Sequence, residues 1–92
     1  NIDPKEIEKK ITDKTKAIVV THLCGHPCEM DEIVSISKRN NIPVVEDCSH
    51  AHGSQYKSKK VGTFGDIGCF SMNNQKMISI CYFHYFYQLN LL

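Results

Sequence analysis

The sequence VVEDCSHAHGS, residues 44–54, begins as an apolar strand and ends in acid, thiol and imidazole side chains. Val44 and Val45 are typical of a buried strand, and the carboxylates of Glu46 and Asp47 follow them directly. In open α/β sheets, ligands bind beyond the carboxyl ends of the strands. The stretch therefore indicates either an ordinary loop at a strand end or the edge of an active site.

Helices and strands are predicted to alternate before this stretch. Asp3 is a candidate N-cap with Pro4 at the first helical position, and residues 16–23, nearly all apolar and β-branched, predict a strand buried on both faces. Residues 31–41 predict a second helix, and residues 42–47 predict a second strand. This order is typical of an α/β protein with a parallel sheet.

Polar, chemically capable residues collect at the predicted strand ends. Residues 52–66 form a polar connection in which a small hairpin is predicted, and residues 66–72 predict a third strand. The three strand ends comprise residues 22–28, 46–52 and 71–76. Since the carboxyl ends of parallel strands meet at one edge of a sheet, we expect a site there.

Composition restricts the class of protein. The chain has 92 residues, which is one domain at most or part of one, and its 11 basic and 10 acidic residues give a net charge of +1. The mixed charges argue against nucleic acid or a membrane surface as the main partner, and no run is long enough to span a membrane. Five cysteines without an export signal predict reduced thiols in a cytoplasmic protein.

A metal site is one alternative use of these polar residues. Four candidate ligands lie within seven residues, and two further histidines follow the second strand: His22, Cys24, His26, Cys28, His50 and His52. The spacing fits only half of a structural zinc site. We therefore predict no metal and favour side chains that pack at strand ends.

Nucleophilic catalysis by a cysteine is a second alternative. Cys48 and His50 would supply a thiolate and a base, but nothing in the sequence places an oxyanion hole or a third, orienting group. A third arrangement pairs Asp47 with Lys76 across pyridoxal phosphate (PLP), where the amine forms a Schiff base and the carboxylate keeps the pyridine nitrogen protonated. From the residues alone, a lysine after a strand is more often a solvated surface residue.

A longer pattern decides between these alternatives. Residues 42–76 contain E-D, then A-H-G, a short Y-K-S-K hairpin, V-G-T-F-G-D, an F-S-M strand and Lys76. This pattern closely resembles the DegT/DnrJ/EryC1/StrS family of sugar aminotransferases. Upstream, the M-D-x-I helix start at residues 30–33 is similar as well. The combined motif is specific, although its single pieces are not.

The resemblance implies a fold, a cofactor and site residues. Residues 1–80 would be part of the mostly parallel α/β large domain of a fold type I PLP enzyme. Asp47 would contact the pyridinium nitrogen, His50 would lie near the ring hydroxyl, and Ser71 would bind the phosphate. Lys76 would be the Schiff-base lysine and proton shuttle. Glu46 is expected to bind turn backbone, and His52 is expected to be structural.

The resemblance also implies a reaction and partners. An amino group would pass from glutamate or glutamine to a keto-sugar, usually nucleotide-linked, in sugar nucleotide biosynthesis. A related dehydratase branch has His in place of the lysine, so Lys76 favours transamination. The full-length family is expected to form homodimers. The isolated 92-residue chain is expected to be inactive, because it lacks other parts of the family's site, and an inactive relic is the alternative.

Residues 81–92 depart from the family pattern. After its lysine the family continues into a glycine-rich G-E-G-G turn and a further strand, whereas CYFHYFYQLNLL has no glycine and crowds aromatic residues. We interpret this segment as a divergent tail that arose by a frameshift or by read-through. The alternative is a genuine apolar C-terminal strand.

The frameshift interpretation predicts what the encoding DNA contains. Reading all frames across the codon of Cys81 should reveal a G-E-G-G turn in another frame. Codons for residues 60–70, where the protein follows the family pattern, serve as the control and should show the pattern in the existing frame alone. If no frame encodes the turn, the frameshift interpretation is wrong.

Overall fold

The structure, a computed structural model, describes residues 1–72 and the backbone of residues 84–89. It contains two α-helices, α1 (Pro4–Lys10) and α2 (Met30–Asn40). Its strands are β1 (Ile18–Thr21), β2 (Val44–Asp47), β3 (Gln55–Tyr56), β4 (Lys59–Lys60), β5 (Ile67–Met72) and β6 (His84–Leu89). The predicted order of helices and strands is confirmed.

The main sheet has the strand order β1-β2-β5-β6. Strands β1, β2 and β5 are parallel, and β6 is antiparallel to β5. In the register, Asp47 lies beside Thr21 of β1 on one side and Cys69 of β5 on the other. The sheet is therefore mostly parallel, as predicted, and the carboxyl ends of its three parallel strands meet at one edge.

Both helices begin and end where their local chemistry dictates. The Asp3 carboxylate accepts a hydrogen bond from the Lys5 N–H at 2.9 Å, which satisfies one free donor at the start of α1. Helix α2 ends at Asn40, and the capping residue Asn41 has a φ of 52°, in the left-handed region. Ile33 and Ile36 of α2 are buried in the core, as its periodicity predicts.

The prediction that β1 is buried on both faces is wrong. Ile18 and Val20 are buried against the helices, but Val19 between them is 59% exposed. The reason is that α1 and α2 contribute their apolar side chains to a core on one face of the sheet. Within residues 1–72, the opposite face at Val19 has no such layer.

The predicted hairpin is present as β3 and β4. Lys57 and Ser58 form its two-residue turn, and both have positive φ, as type I′ turns require. The hairpin packs beside the start of α2, where the Tyr56 hydroxyl donates to the Glu29 carboxylate at 3.2 Å. Ser58, with φ of 67°, has a side chain where glycine would be unstrained.

The backbone of residues 84–89 forms a strand, β6, in which His84 pairs with Met72 and Leu89 pairs with Ile67. A strand at this place agrees with the alternative given for the tail, and it also lies where the resemblance expects a further strand. The origin of the divergent sequence stays a prediction. Neither helix in the described part of the chain has the length and apolar character to cross a bilayer.

Replacing Ser58 by glycine should stabilise the chain. Left-handed backbone costs a non-glycine residue about 1–2 kcal/mol, which exceeds the roughly 0.5–1 kcal/mol of chain entropy that glycine adds to the unfolded state. We expect Ser58→Gly to raise the free energy of unfolding in urea by about 0.5–1 kcal/mol.

The control for this prediction is Ser35→Gly on the exposed side of α2, where the backbone is already helical. It should lower the free energy of unfolding by about 0.5–1 kcal/mol. If both glycines destabilise the chain equally, strain at Ser58 is not the explanation.

Candidate active site

The two acidic residues that end β2 point to opposite faces of the sheet. Val44 and Glu46 are buried on the helix side, whereas Val45 and Asp47 are half-buried on the other side. This separation follows from the two-residue period of a strand. Strand β2 therefore places the Glu46 carboxylate in the interior and the Asp47 carboxylate at the edge of the sheet where the parallel strands end.

Asp47 presents a partly satisfied carboxylate at that edge. Its Oδ1 accepts a hydrogen bond from the Ser49 N–H at 3.0 Å, and no described residue donates to Oδ2. Its backbone carbonyl accepts from the His22 N–H at 3.1 Å. The Asp47 carboxylate is thus oriented, with one oxygen available to a ligand.

The other predicted site residues are placed as follows. Cys69 of β5 is the register neighbour of Asp47, and Ser71 lies two residues beyond it. Ser71 and Asp47 therefore project from the same face of the sheet. Ser71 is 4% exposed. His50 is exposed in the turn that follows β2. Lys76 lies outside the described residues. The structure therefore brings Asp47, Ser71 and His50 to one edge and leaves the position of Lys76 a prediction.

Glu46 is fully buried, and its carboxylate receives four hydrogen bonds. Oε1 accepts from the Gly62 N–H at 2.7 Å and faces His22 Nε2 at 3.0 Å. Oε2 accepts from the N–H groups of Phe64 and Gly65 at 2.8 and 2.7 Å. The expectation that Glu46 binds turn backbone is confirmed: three of its four donors belong to the turn of residues 62–65.

The hydrogen bonds fix the protonation states of this buried pair. His22 Nδ1 accepts from the Cys28 N–H at 3.1 Å, so the ring proton lies on Nε2 and points at Glu46. Burial alone would raise the pKa of Glu46, but the bonds from His22 and from the turn outweigh it, and the pKa is lowered. A neutral imidazole therefore donates to a charged carboxylate.

The V-G-T-F-G-D motif packs directly on β2 and β5. A Cβ on Gly65 would lie 2.7 Å from the Val44 carbonyl oxygen, and one on Gly68 would collide with the Gly62 carbonyl oxygen. Asp66 closes the motif, because its carboxylate accepts from the Val44 N–H and its own N–H donates to the Val44 carbonyl, both at 2.8 Å. Only glycine permits this close approach.

The structure disfavours Cys48 as a nucleophile. Burial raises the pKa of its thiol to about 12, and the nearby charges of Glu46 and Asp47 act in the same direction. Nucleophilic cysteines need a lowered pKa, since the thiolate is the reactive form. His50 is exposed, whereas Cys48 is completely buried.

The candidate metal ligands considered from the sequence do not form one cluster among the described residues. His22 is committed to Glu46 and Cys28, the Cys28 thiol donates to the Thr21 carbonyl at 3.2 Å, and Cys24 and His26 are exposed. Ligand atoms of His22, Glu46 and Cys48 do lie within 4.8 Å of one another. Hydrogen bonds already satisfy the first two, so packing explains this trio.

His52 is buried, whereas His50 is exposed in the turn that follows β2. It is buried against Phe70, with ring centroids 5.7 Å apart. Its ring nitrogens have no hydrogen-bond partner in the described part of the chain. These contacts indicate that His52 packs in the interior.

Sequence reasoning missed His22 as the partner of Glu46. The signal was present, because His22 continues the alternation of Ile18 and Val20 onto the core face of β1. A polar residue at such a position needs a buried partner, and Glu46 occupies the matching place after Val44 in β2. The closeness of His22 to Cys24 and Cys28 in the sequence is instead typical of a metal site.

The chain is similar in sequence to a family of aminotransferases. The model described as the DegT/DnrJ/EryC1/StrS aminotransferase family matches residues 1–83. GDP-perosamine synthase of Escherichia coli O157:H7 is 57% identical over 74 residues, which cover 80% of this chain and 20% of that protein. The chain spans about a fifth of the length of the curated relatives it matches.

Solved structures of aminotransferases and of a related dehydratase are similar to this chain in fold and in sequence. The aminotransferase from Psychrobacter cryohalolentis has a TM-score of 0.93 and 41% identity, covering 98% of this chain and 23% of that one. The E. coli GDP-4-keto-6-deoxy-D-mannose-3-dehydratase with bound hydrated PLP has a TM-score of 0.78 and 37% identity, covering 86% of this chain and 20% of that one. The predicted fold class, part of the large domain of a fold type I aminotransferase, is confirmed.

Acid should destabilise the chain through Glu46. Because its pKa is lowered by folding, its contribution is fully present above the unfolded value of about 4.3 and is lost as the pH falls through the folded value. Glu46→Gln should lower the free energy of unfolding at pH 7 by about 1–3 kcal/mol and flatten its decline in acid. A series of urea denaturations between pH 3 and pH 7 measures the free energy of unfolding at pH 7 and its decline in acid.

The matched control is Glu32→Gln on the exposed surface of α2. It should change the free energy of unfolding by no more than about 0.5 kcal/mol and keep the acid decline. A Glu46→Gln profile parallel to that of the unmodified chain would contradict the assignment.

Proposed function

This chain belongs to the DegT/DnrJ/EryC1/StrS aminotransferase family, and on that premise we propose that it forms part of the cofactor site of a PLP-dependent sugar aminotransferase. The observation that carries the proposal is the placement of Asp47. Its carboxylate ends a central parallel strand, faces away from the buried Glu46, and has one oxygen without a partner among the described residues.

The residues present fit PLP. A carboxylate at Asp47 matches the need of the pyridine nitrogen for an anionic partner. Ser71 projects from the same face and would bind the phosphate, while His50 in the exposed turn would lie near the ring hydroxyl. The resemblance assigns the covalent attachment to the ε-amine of Lys76. When bound, PLP supplies an electron-withdrawing ring that stabilises negative charge on a substrate carbon.

The residues of the chain would then have distinct tasks. Asp47 would hold the proton on the pyridine nitrogen, since an unprotonated ring is a poor electron acceptor. Lys76 would move a proton to and from the substrate carbon. The overall reaction would transfer an amino group from glutamate or glutamine to a keto-sugar. The GDP in the name of the similar perosamine synthase supports a nucleotide-linked sugar as the acceptor.

Lys76 favours transamination over the dehydratase branch, which also appears among the similar solved structures. We further propose a homodimer for the whole protein and a cytoplasmic location. Free thiols at Cys24, Cys28, Cys48 and Cys69 support that location. We keep the expectation that the 92-residue chain alone does not turn over substrate.

Covalent trapping of PLP tests the proposal. The chain is incubated with PLP, reduced with sodium borohydride, digested, and its adducts are located by mass spectrometry. We expect the adduct to concentrate on Lys76 rather than on the exposed lysines of the hairpin, Lys57, Lys59 and Lys60. Asp47→Asn should weaken PLP binding by about tenfold to a hundredfold, the equivalent of one charge-assisted hydrogen bond.

Two controls make the result specific. Lys76→Arg should abolish the concentrated adduct, and Lys60→Arg in the exposed hairpin should leave it intact. Adducts spread evenly over the lysines, or trapping that Asp47→Asn does not change, would overturn the proposal.

A further inference from the structure

We propose that His22 and Glu46 form a positioning pair that holds Asp47 in place for the cofactor. The proposal rests on the function proposed above and adds two residues to it. Neither residue would touch PLP, because both side chains lie completely buried on the helix side of the sheet. They act through the backbone and through the elements that surround the end of β2.

His22 connects three segments at once. Its backbone N–H donates to the carbonyl of Asp47 at 3.1 Å. Its ring faces Glu46 at 3.0 Å and accepts from the Cys28 N–H at 3.1 Å. The backbone and the imidazole of His22 therefore connect the end of β1 to the end of β2 and to the loop between β1 and α2.

Glu46 connects the same strand end to the turn that precedes β5. Three of its hydrogen bonds go to the backbone of Gly62, Phe64 and Gly65. That turn contacts β5 at Gly68, which is the register neighbour of Glu46. A rotation of β2 that moved Asp47 would have to break these bonds as well as those of His22.

The chemistry of the pair favours positioning over simple packing. A buried charge is costly, and hydrophobic residues of similar volume are often as stable or more stable at such places. The carboxylate is useful where geometry must be fixed, because each of its four donors has a defined direction. Since Glu46 and Asp47 are consecutive in one strand, fixing the first fixes the direction in which the second leaves the sheet.

NMR can observe the position of Asp47 without any cofactor. The Ser49 N–H donates to Asp47 Oδ1, so the Ser49 amide shift should follow the ionisation of that carboxylate. The titration is recorded in the full 92-residue chain between about pH 3 and pH 6, the range of carboxyl groups. The amides of Phe64 and Gly65 report on Glu46 separately.

Three variants decide the outcome. His22→Phe keeps a ring but removes both nitrogens, and it should reduce the amplitude of the Ser49 titration at least twofold. His22→Gln retains a donor and an acceptor, and it should preserve the amplitude. Ile36→Ala, in the core of α2, destabilises without touching the strand end and should also preserve it.

Each result supports or overturns the inference. Full amplitude in His22→Phe, or an equal loss in Ile36→Ala, would show that the pair does not position Asp47. Loss of the titration in a folded His22→Gln chain would overturn it too, so the test stands even where His22→Phe does not fold. Since no PLP is present, a failure of the proposed function would appear in the trapping experiment and not here.

Discussion

The buried carboxylate of Glu46 must be satisfied, and the surrounding elements are arranged to satisfy it. A charged group without partners in a protein interior would be strongly destabilising. Here three backbone N–H groups and one imidazole surround it. The turn can approach that closely because it packs on β2 and β5 through glycine, at Gly65 and Gly68. Three backbone N–H groups of the V-G-T-F-G-D motif thus meet this electrostatic requirement, while Asp66 holds the motif to Val44.

The same requirement prepares the edge of the sheet for function. Because β2 alternates, satisfying Glu46 on one face directs Asp47 to the other, beside the carboxyl ends of the neighbouring strands. Asp47 keeps an oxygen without a partner among the described residues. The fold therefore depends on Glu46, which is buried, and the proposed chemistry depends on its neighbour Asp47, which lies at the edge of the sheet.

Local patterns were sufficient to predict most of the fold. The Asp3 cap, the Ile33 and Ile36 periodicity and the hairpin turn are determined by neighbours in sequence, and all three are present. The exposure of Val19 was not predictable, because it depends on which face the helices cover. The partnership of His22 with Glu46 is likewise set by the packing of distant segments. Resemblance supplied the roles of Asp47, His50, Ser71 and Lys76, which no local pattern determines.

The central claim is that β2 presents Asp47 to a cofactor while Glu46 stays in the interior. A crystal structure of the protein with PLP bound measures this most directly. We predict an Asp47 oxygen at about 2.7–2.9 Å from the pyridine nitrogen, the distance of a charge-assisted hydrogen bond. Glu46 should keep its bonds to His22 and to the turn. A ring held by Glu46, or bound away from the carboxyl ends of β1, β2 and β5, would contradict the account.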